Sequence, residues 1–154
     1  MKMVISEFKS KITLVDIQSM TRTHGLISLL VTSGIIKQTN IQVLIEVMKL
    51  CGMGGVESVI KPEWNLPKFE EVPITTFSDH RRKLLQFGNT VSDDNMRTIG
   101  QLYGIEGETD PYSLILQLEM EGYITERGTM NEFIDKLKDY KMVNEINALT
   151  SLND

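Results

Sequence analysis

The sequence predicts an all-α protein made of two helical bundles in tandem, and three observations carry its helical, duplicated plan. The first is a repeat: LISLLVTSGIIKQTNIQVLIEVMKL from Leu26 is echoed by LILQLEMEGYITERGTMNEFIDKLK from Leu114. Each copy opens with a short apolar helix, breaks at Gly34 or Gly122, turns through Ile36 or Ile124 and enters a longer helix. The second is periodicity. Ile41, Leu44, Ile45 and Met48 in one copy, and Met130, Phe133, Ile134 and Leu137 in the other, recur at i, i+3, i+4 and i+7, the spacing of one buried helical face. The third is a pair of capping boxes, Thr39 with Gln42 and Thr129 with Glu132, in which hydroxyl and N3 side chain satisfy free backbone donors at a helix start. The two glycines lie 88 residues apart and the apolar faces of the long helices 89 apart, so one residue is gained in the turn.

Taken in order, Met3, Val4, Ile5, Phe8 and Ile12 predict a first helix of about ten residues. Thr13, with Asp16 three residues on, caps a second helix whose inner side holds Leu14, Ile17 and Met20 and which Gly25 ends. The repeated block supplies helices over 26–33 and 40–51, and after Gly52, Gly54 and Gly55 a short last helix carries Val56, Val59 and Ile60. Residues 1–60 thus form the first unit. Residues 61–76 contain three of the four prolines, Pro62, Pro67 and Pro73, and form a linker, because proline cannot continue a helix and biases its predecessor to extended geometry. Trp64, Leu66, Phe69 and Val72 are too apolar for a free tether, so the linker is expected to pack on the units and fix their relative position.

The second unit, 77–154, repeats the plan. Leu84, Leu85 and Phe87 mark its first helix, and Ser92 caps the next, followed by Asp93 and Asp94 where the helix dipole favours negative charge. Met96, Ile99, Leu102 and Tyr103 form the apolar side of that helix. An acidic loop over 105–110 leads to Asp110 and Pro111, a cap followed by proline at the first helical position. A last helix carries Met142, Val143, Ile146 and Leu149, and the tail after Ser151 is expected to fray.

Hydrophobic content of 41% and charged content of 24% are ordinary for a soluble globular chain. The single cysteine, Cys51, excludes an internal disulfide, and with no signal peptide the expected setting is cytoplasmic. The net charge of −5 is uneven: residues 1–60 hold six basic against four acidic side chains, and residues 77–154 eight against fourteen. A mildly basic unit joined to an acidic one argues against nucleic acid as the main partner and allows head-to-tail attraction between copies.

Catalytic chemistry finds no support. His24 and His80 lie in different units without a neighbouring Cys or His, and Cys51 has no local histidine. Gly52, Gly54 and Gly55 follow a helix and lack the lysine and hydroxyl of a phosphate loop. Calcium-binding loops require oxygen ligands at positions 1, 3, 5 and 12 around a central glycine, and neither turn supplies them. No enzyme activity, cofactor or metal is expected.

An N-terminal helix, a hydroxyl cap with acid, then a short helix, a Gly-Ile turn and a long helix resembles the death effector domain, and the chain as a whole is similar to two-domain FLICE-like inhibitory proteins. The residues that carry it are Lys11 to Asp16, Gly34-Ile35-Ile36 and Thr39-Asn40-Ile41, then Thr90 to Asp94, Gly122-Tyr123-Ile124 and Thr129-Met130. The resemblance implies two death-fold-like, six-helix bundles in tandem, here with the third helix of each short or absent, in a cytoplasmic and non-enzymatic protein. It also implies binding to related domains in assemblies of adaptors and initiator caspases, in apoptosis or innate immunity, as modulator or inhibitor, with self-assembly as a further implication. The family's Arg/Lys-x-Asp-Leu motif at the last helix is absent from the first unit, which has Met53-Gly54-Gly55-Val56 there. The second unit keeps the base, in Lys141-Met142-Val143-Asn144, with Asp93 or Asp94 as its expected partner. The family's exposed apolar pair becomes Arg22-Thr23 and Gln101-Leu102. The expected contact residues are Arg22, Lys37 and Lys49 on the basic unit, and Asp93, Asp94, Leu102, Glu119, Glu121 and Lys141 on the acidic one. The alternative reading is a groove-type, Bcl-2-like inhibitor or unrelated helical adaptor that holds a partner helix between Met and Leu side chains.

Overall fold

A computed structural model describes residues 1–20, 22–37, 41–52, 71–105, 107, 110–125 and 128–151, without the side chains of Leu14, Gln18 and His24. The chain is all-α, with no β-strand among the described residues, and divides into two compact units, Met1–Ser78 and Asp79–Asp154. The capping box at Thr39, the helix with Val56, Val59 and Ile60, the apolar linker residues Trp64, Leu66 and Phe69, and the tail lie outside the described residues.

In the first unit, α1 (Lys2–Ile5) passes into a single 3-10 turn, Ser6–Phe8, so the expected ten-residue helix is shorter and changes type. Met3, Val4 and Ile5 are consecutive and all buried, which one face of a longer α-helix cannot achieve. Helix α2 (Leu14–Ser19) begins as expected. The Thr13 hydroxyl accepts from the Asp16 amide at 3.1 Å and donates to the Asp16 carboxylate at 2.6 Å. Its end differs. Met20 turns extended after Ser19, and Gly25 lies inside the next helix, α3 (Thr23–Thr32), rather than closing α2.

Helix α3 ends in a Schellman motif. The Ile35 amide donates to the Leu30 carbonyl at 2.9 Å and the Gly34 amide to Val31 at 3.0 Å, with Gly34 at φ +70°. Helix α4 (Gln42–Leu50) follows and buries Val43, Ile45, Val47 and Met48. Val72, in the described end of the linker, packs back on α4 in the cluster of Ile45 and Met48, and Phe77 just after it meets Phe8 of the 3-10 turn edge-on with ring centroids 5.6 Å apart.

In the second unit, α5 (Asp79–Thr90), α6 (Asp93–Tyr103), α7 (Pro111–Met120), α8 (Met130–Asp139) and α9 (Val143–Thr150) form the bundle. Two predicted caps are in place. Ser92 accepts from the Asn95 amide at 3.2 Å, and Asp110 accepts from the amides of Tyr112 and Ser113 at 3.0 and 3.1 Å. The α7 exit repeats that of α3 bond for bond: Tyr123 donates to Leu118 at 2.9 Å, Gly122 donates to Glu119 at 3.1 Å, and Gly122 sits at φ +78°. A side chain in that left-handed conformation is disfavoured, which is why the glycine marks both turns.

One expectation is corrected here. Thr129 precedes α8 but does not cap it through its side chain; its hydroxyl donates to the Gly122 carbonyl at 3.1 Å and accepts from the Thr125 amide at 3.0 Å. It clamps the turn instead of the helix start. On α9, Glu145, Ala148 and Leu149 are buried, as is Met142 just before the helix, while Val143 is 60% exposed.

Candidate functional site

Each unit buries a glutamate carboxylate against donors that satisfy it. In the first, Glu46 on α4 is fully buried. Its carboxylate accepts from Gln42 Nε2 at 2.8 Å, the Thr76 amide at 2.9 Å and the hydroxyls of Thr76 and Thr75 at 3.1 and 3.2 Å. Burial alone would raise its pKa, but the hydrogen bonds from Gln42, Thr76 and Thr75 together outweigh that and hold it below the usual carboxylate value. In the second unit, Arg81 on α5 and Glu119 on α7 form a bidentate pair at 2.6 and 2.8 Å, with side chains 2% and 5% exposed.

These ties decide the fate of the expected contact residues. Glu119 is not a surface acid; it is consumed by Arg81 inside the bundle. Lys49 is half-buried, with Nζ donating to the Val72 carbonyl at 2.9 Å, so its ammonium holds the returning segment. Arg22, at the start of α3, and Lys37, after the Gly34 turn, are exposed. Asp93 and Asp94 are exposed in the first turn of α6, where Asp94 pairs with Arg97 at 3.4 Å. Glu121 is exposed and accepts from Gln117 at 3.2 Å.

Lys141 is exposed at φ +56°, the only non-glycine among the described residues with positive φ. No ion pair joins it to Asp93 or Asp94, which corrects the expected base–acid pair. The tie between α6 and α9 is instead Asn95 Nδ2 donating to the buried Glu145 at 2.6 Å.

Leu102 is half-buried, and its position shows a feature the sequence did not announce. It lines a groove of about 340 Å³ with Tyr103 from α6, Gly122, Tyr123 and Thr129 from the clamped turn, and Glu132, Phe133 and Lys136 from α8. The rings are in contact: Tyr103 lies 4.7 Å from Tyr123 and 5.7 Å from Phe133 between centroids. Burial pushes the pKa of the Tyr103 hydroxyl up, and the charges of Glu132 and Tyr123 push it the same way, so the phenol stays a neutral donor. A signal for this groove was present in Tyr103 and Tyr123, two aromatics in a chain with only 6% of them.

The described residues contain no group of three or more His, Cys, Asp or Glu side chains placed to hold a metal, and no helix long and apolar enough to cross a membrane. Comparisons with family models, curated proteins and solved structures found no match to this chain.

Proposed function

We propose that the chain is a tandem death-effector-like module that acts without catalysis, binding related domains to modulate or inhibit an apoptotic or innate-immune signalling assembly. One observation carries the reading. The same helix exit, with a Schellman turn at Gly34 or Gly122 and an isoleucine two residues on, recurs 88 residues apart within separately compact units. A single groove-binding bundle has no need of that duplication. The exposed, uneven charge supports binding through surfaces, with Arg22 and Lys37 on one unit and Asp93, Asp94 and Glu121 on the other.

The test is a titration of the full chain with purified death-effector domains of adaptor and initiator-caspase type. Saturable binding is expected, weakened at least about tenfold by the double charge reversal Asp93→Lys and Asp94→Lys if that surface is used. Absence of binding to either class removes the proposal. Binding that the double variant leaves unchanged removes the surface but keeps the function.

A further inference from the structure

We propose that the aromatic groove of the second unit takes a basic side chain, an arginine or lysine of a protein partner, laid over Tyr103 and Tyr123 and drawn to Glu132. This goes beyond the homotypic reading, since it needs only the second unit and would hold for any partner presenting such a segment.

The first support is the chemistry of the walls. A cation is attracted to the face of a tyrosine and more strongly where water is partly excluded. The groove offers Tyr123, 38% exposed, with the half-buried Tyr103 beside it and buried Phe133 as its floor. The second support is charge. Glu132 is exposed on α8 and makes no ion pair among the described residues, so its carboxylate is available to an incoming cation. It stands on a unit with eight basic against fourteen acidic residues, whose field draws basic segments toward it. Lys136, one turn further along α8, lines the same groove with the opposite sign, so a cation would be repelled from that end.

The third support is preorganisation. Thr129 bonds the Gly122 carbonyl and the Thr125 amide, which fixes the turn carrying Tyr123 before any partner arrives. A wall already held in place loses less conformational entropy on binding. The volume of about 340 Å³ lies at the small end of the range for ligand sites, suited to one long side chain and its flanking residues.

The experiment is a two-dimensional NMR titration of the full, isotope-labelled chain with a capped Leu-Arg-Leu peptide, beside the same peptide with citrulline replacing arginine. Citrulline keeps the shape and removes the charge. The arginine peptide is expected to shift Tyr103, Tyr123, Glu132 and Phe133 saturably and to bind at least about fivefold more tightly than the citrulline peptide. Glu132→Gln and, independently, Tyr123→Ala each weaken it by a similar factor, whereas Lys136→Gln does not weaken it. These positions are on the surface, so each variant should keep the wild-type spectrum away from the groove. Equal binding of the two peptides overturns the proposal, as do shifts spread over the acidic surface, an unaffected Glu132→Gln variant, or no saturation at millimolar peptide.

Discussion

The two units share a helix exit and differ in what holds their interiors. The first surrounds Glu46 with neutral donors, most of them from residues 75–76 at the unit's C-terminal end. The second sets Glu119 against the guanidinium of Arg81, joining α5 to α7. The backbone plan therefore tolerates two polar solutions, because caps and glycine turns fix the helices locally while the buried carboxylate needs only some complete set of partners. The difference predicts different responses to mutation.

The largest effect is expected at Arg81. Replacing it with methionine leaves Glu119 buried without its partner and should cost the second unit roughly 3–5 kcal/mol. Much of that should return in Arg81→Met combined with Glu119→Leu, as a volume-filling apolar pair. Urea denaturation followed by circular dichroism measures both; a single variant as stable as the double one would break the contrast.

Glu46→Gln should cost less, about 1–3 kcal/mol, since neutral donors remain but one acceptor becomes a donor. Its pH dependence sharpens the comparison. The folded pKa of Glu46 lies below its ordinary 4.5, so its ionised form adds stability that is complete well above that value. That contribution declines as pH falls through 4.5 and is gone once pH passes the lower folded value. Wild type should therefore lose stability in acid more steeply than Glu46→Gln, and parallel acid-melting curves would contradict the assignment.

Two helical glycines give a paired test. A Cβ on Gly88 would lie 2.6 Å from the Tyr112 ring, so Gly88→Ala should lose about 1–3 kcal/mol through overpacking. A Cβ on Gly25 would meet the flexible Met20 side chain, whose sulfur is nearest at 2.9 Å. Gly25→Ala should gain up to about 1 kcal/mol from helix propensity as that side chain shifts. Thermal melts showing the same sign for both would refute the packing account.

The smallest effect is at the exit of the long helix, where Gly52 at φ +66° and Lys141 at φ +56° occupy equivalent places 89 residues apart. The Lys141 amide bonds Lys138 and the Met142 amide bonds Leu137, each at 3.0 Å, so the turn is made without glycine. Lys141→Gly should stabilise by up to about 1 kcal/mol by removing that conformational strain, and Gly52→Lys should destabilise by a similar amount. Calorimetry on both variants gives the sign.

What was legible in the sequence was what local spacing controls. Thr13, Ser92 and Asp110 cap helices because a short polar side chain reaches donors two or three residues away. The repeated Gly-x-Ile turn was readable for the same reason. Thr129 misled because a competing local partner, the Gly122 carbonyl, took its hydroxyl. The buried charges were missed because their partners are remote: Glu46 reaches Thr76 thirty residues away and Arg81 reaches Glu119 across thirty-eight. A trace was present, since Arg81 lies three and four residues before Leu84 and Leu85, and Glu119 four after Ile115, both on apolar faces. The groove needed the α6 end, the turn and α8 to converge, which no single stretch of sequence contains.

The most direct test of the functional account is molar mass by light scattering for the full chain mixed with a purified adaptor-type death-effector domain, at low and high salt. The account predicts a species heavier than either component that loses mass as salt screens the charged surfaces. Two separate components at every concentration and salt would contradict it.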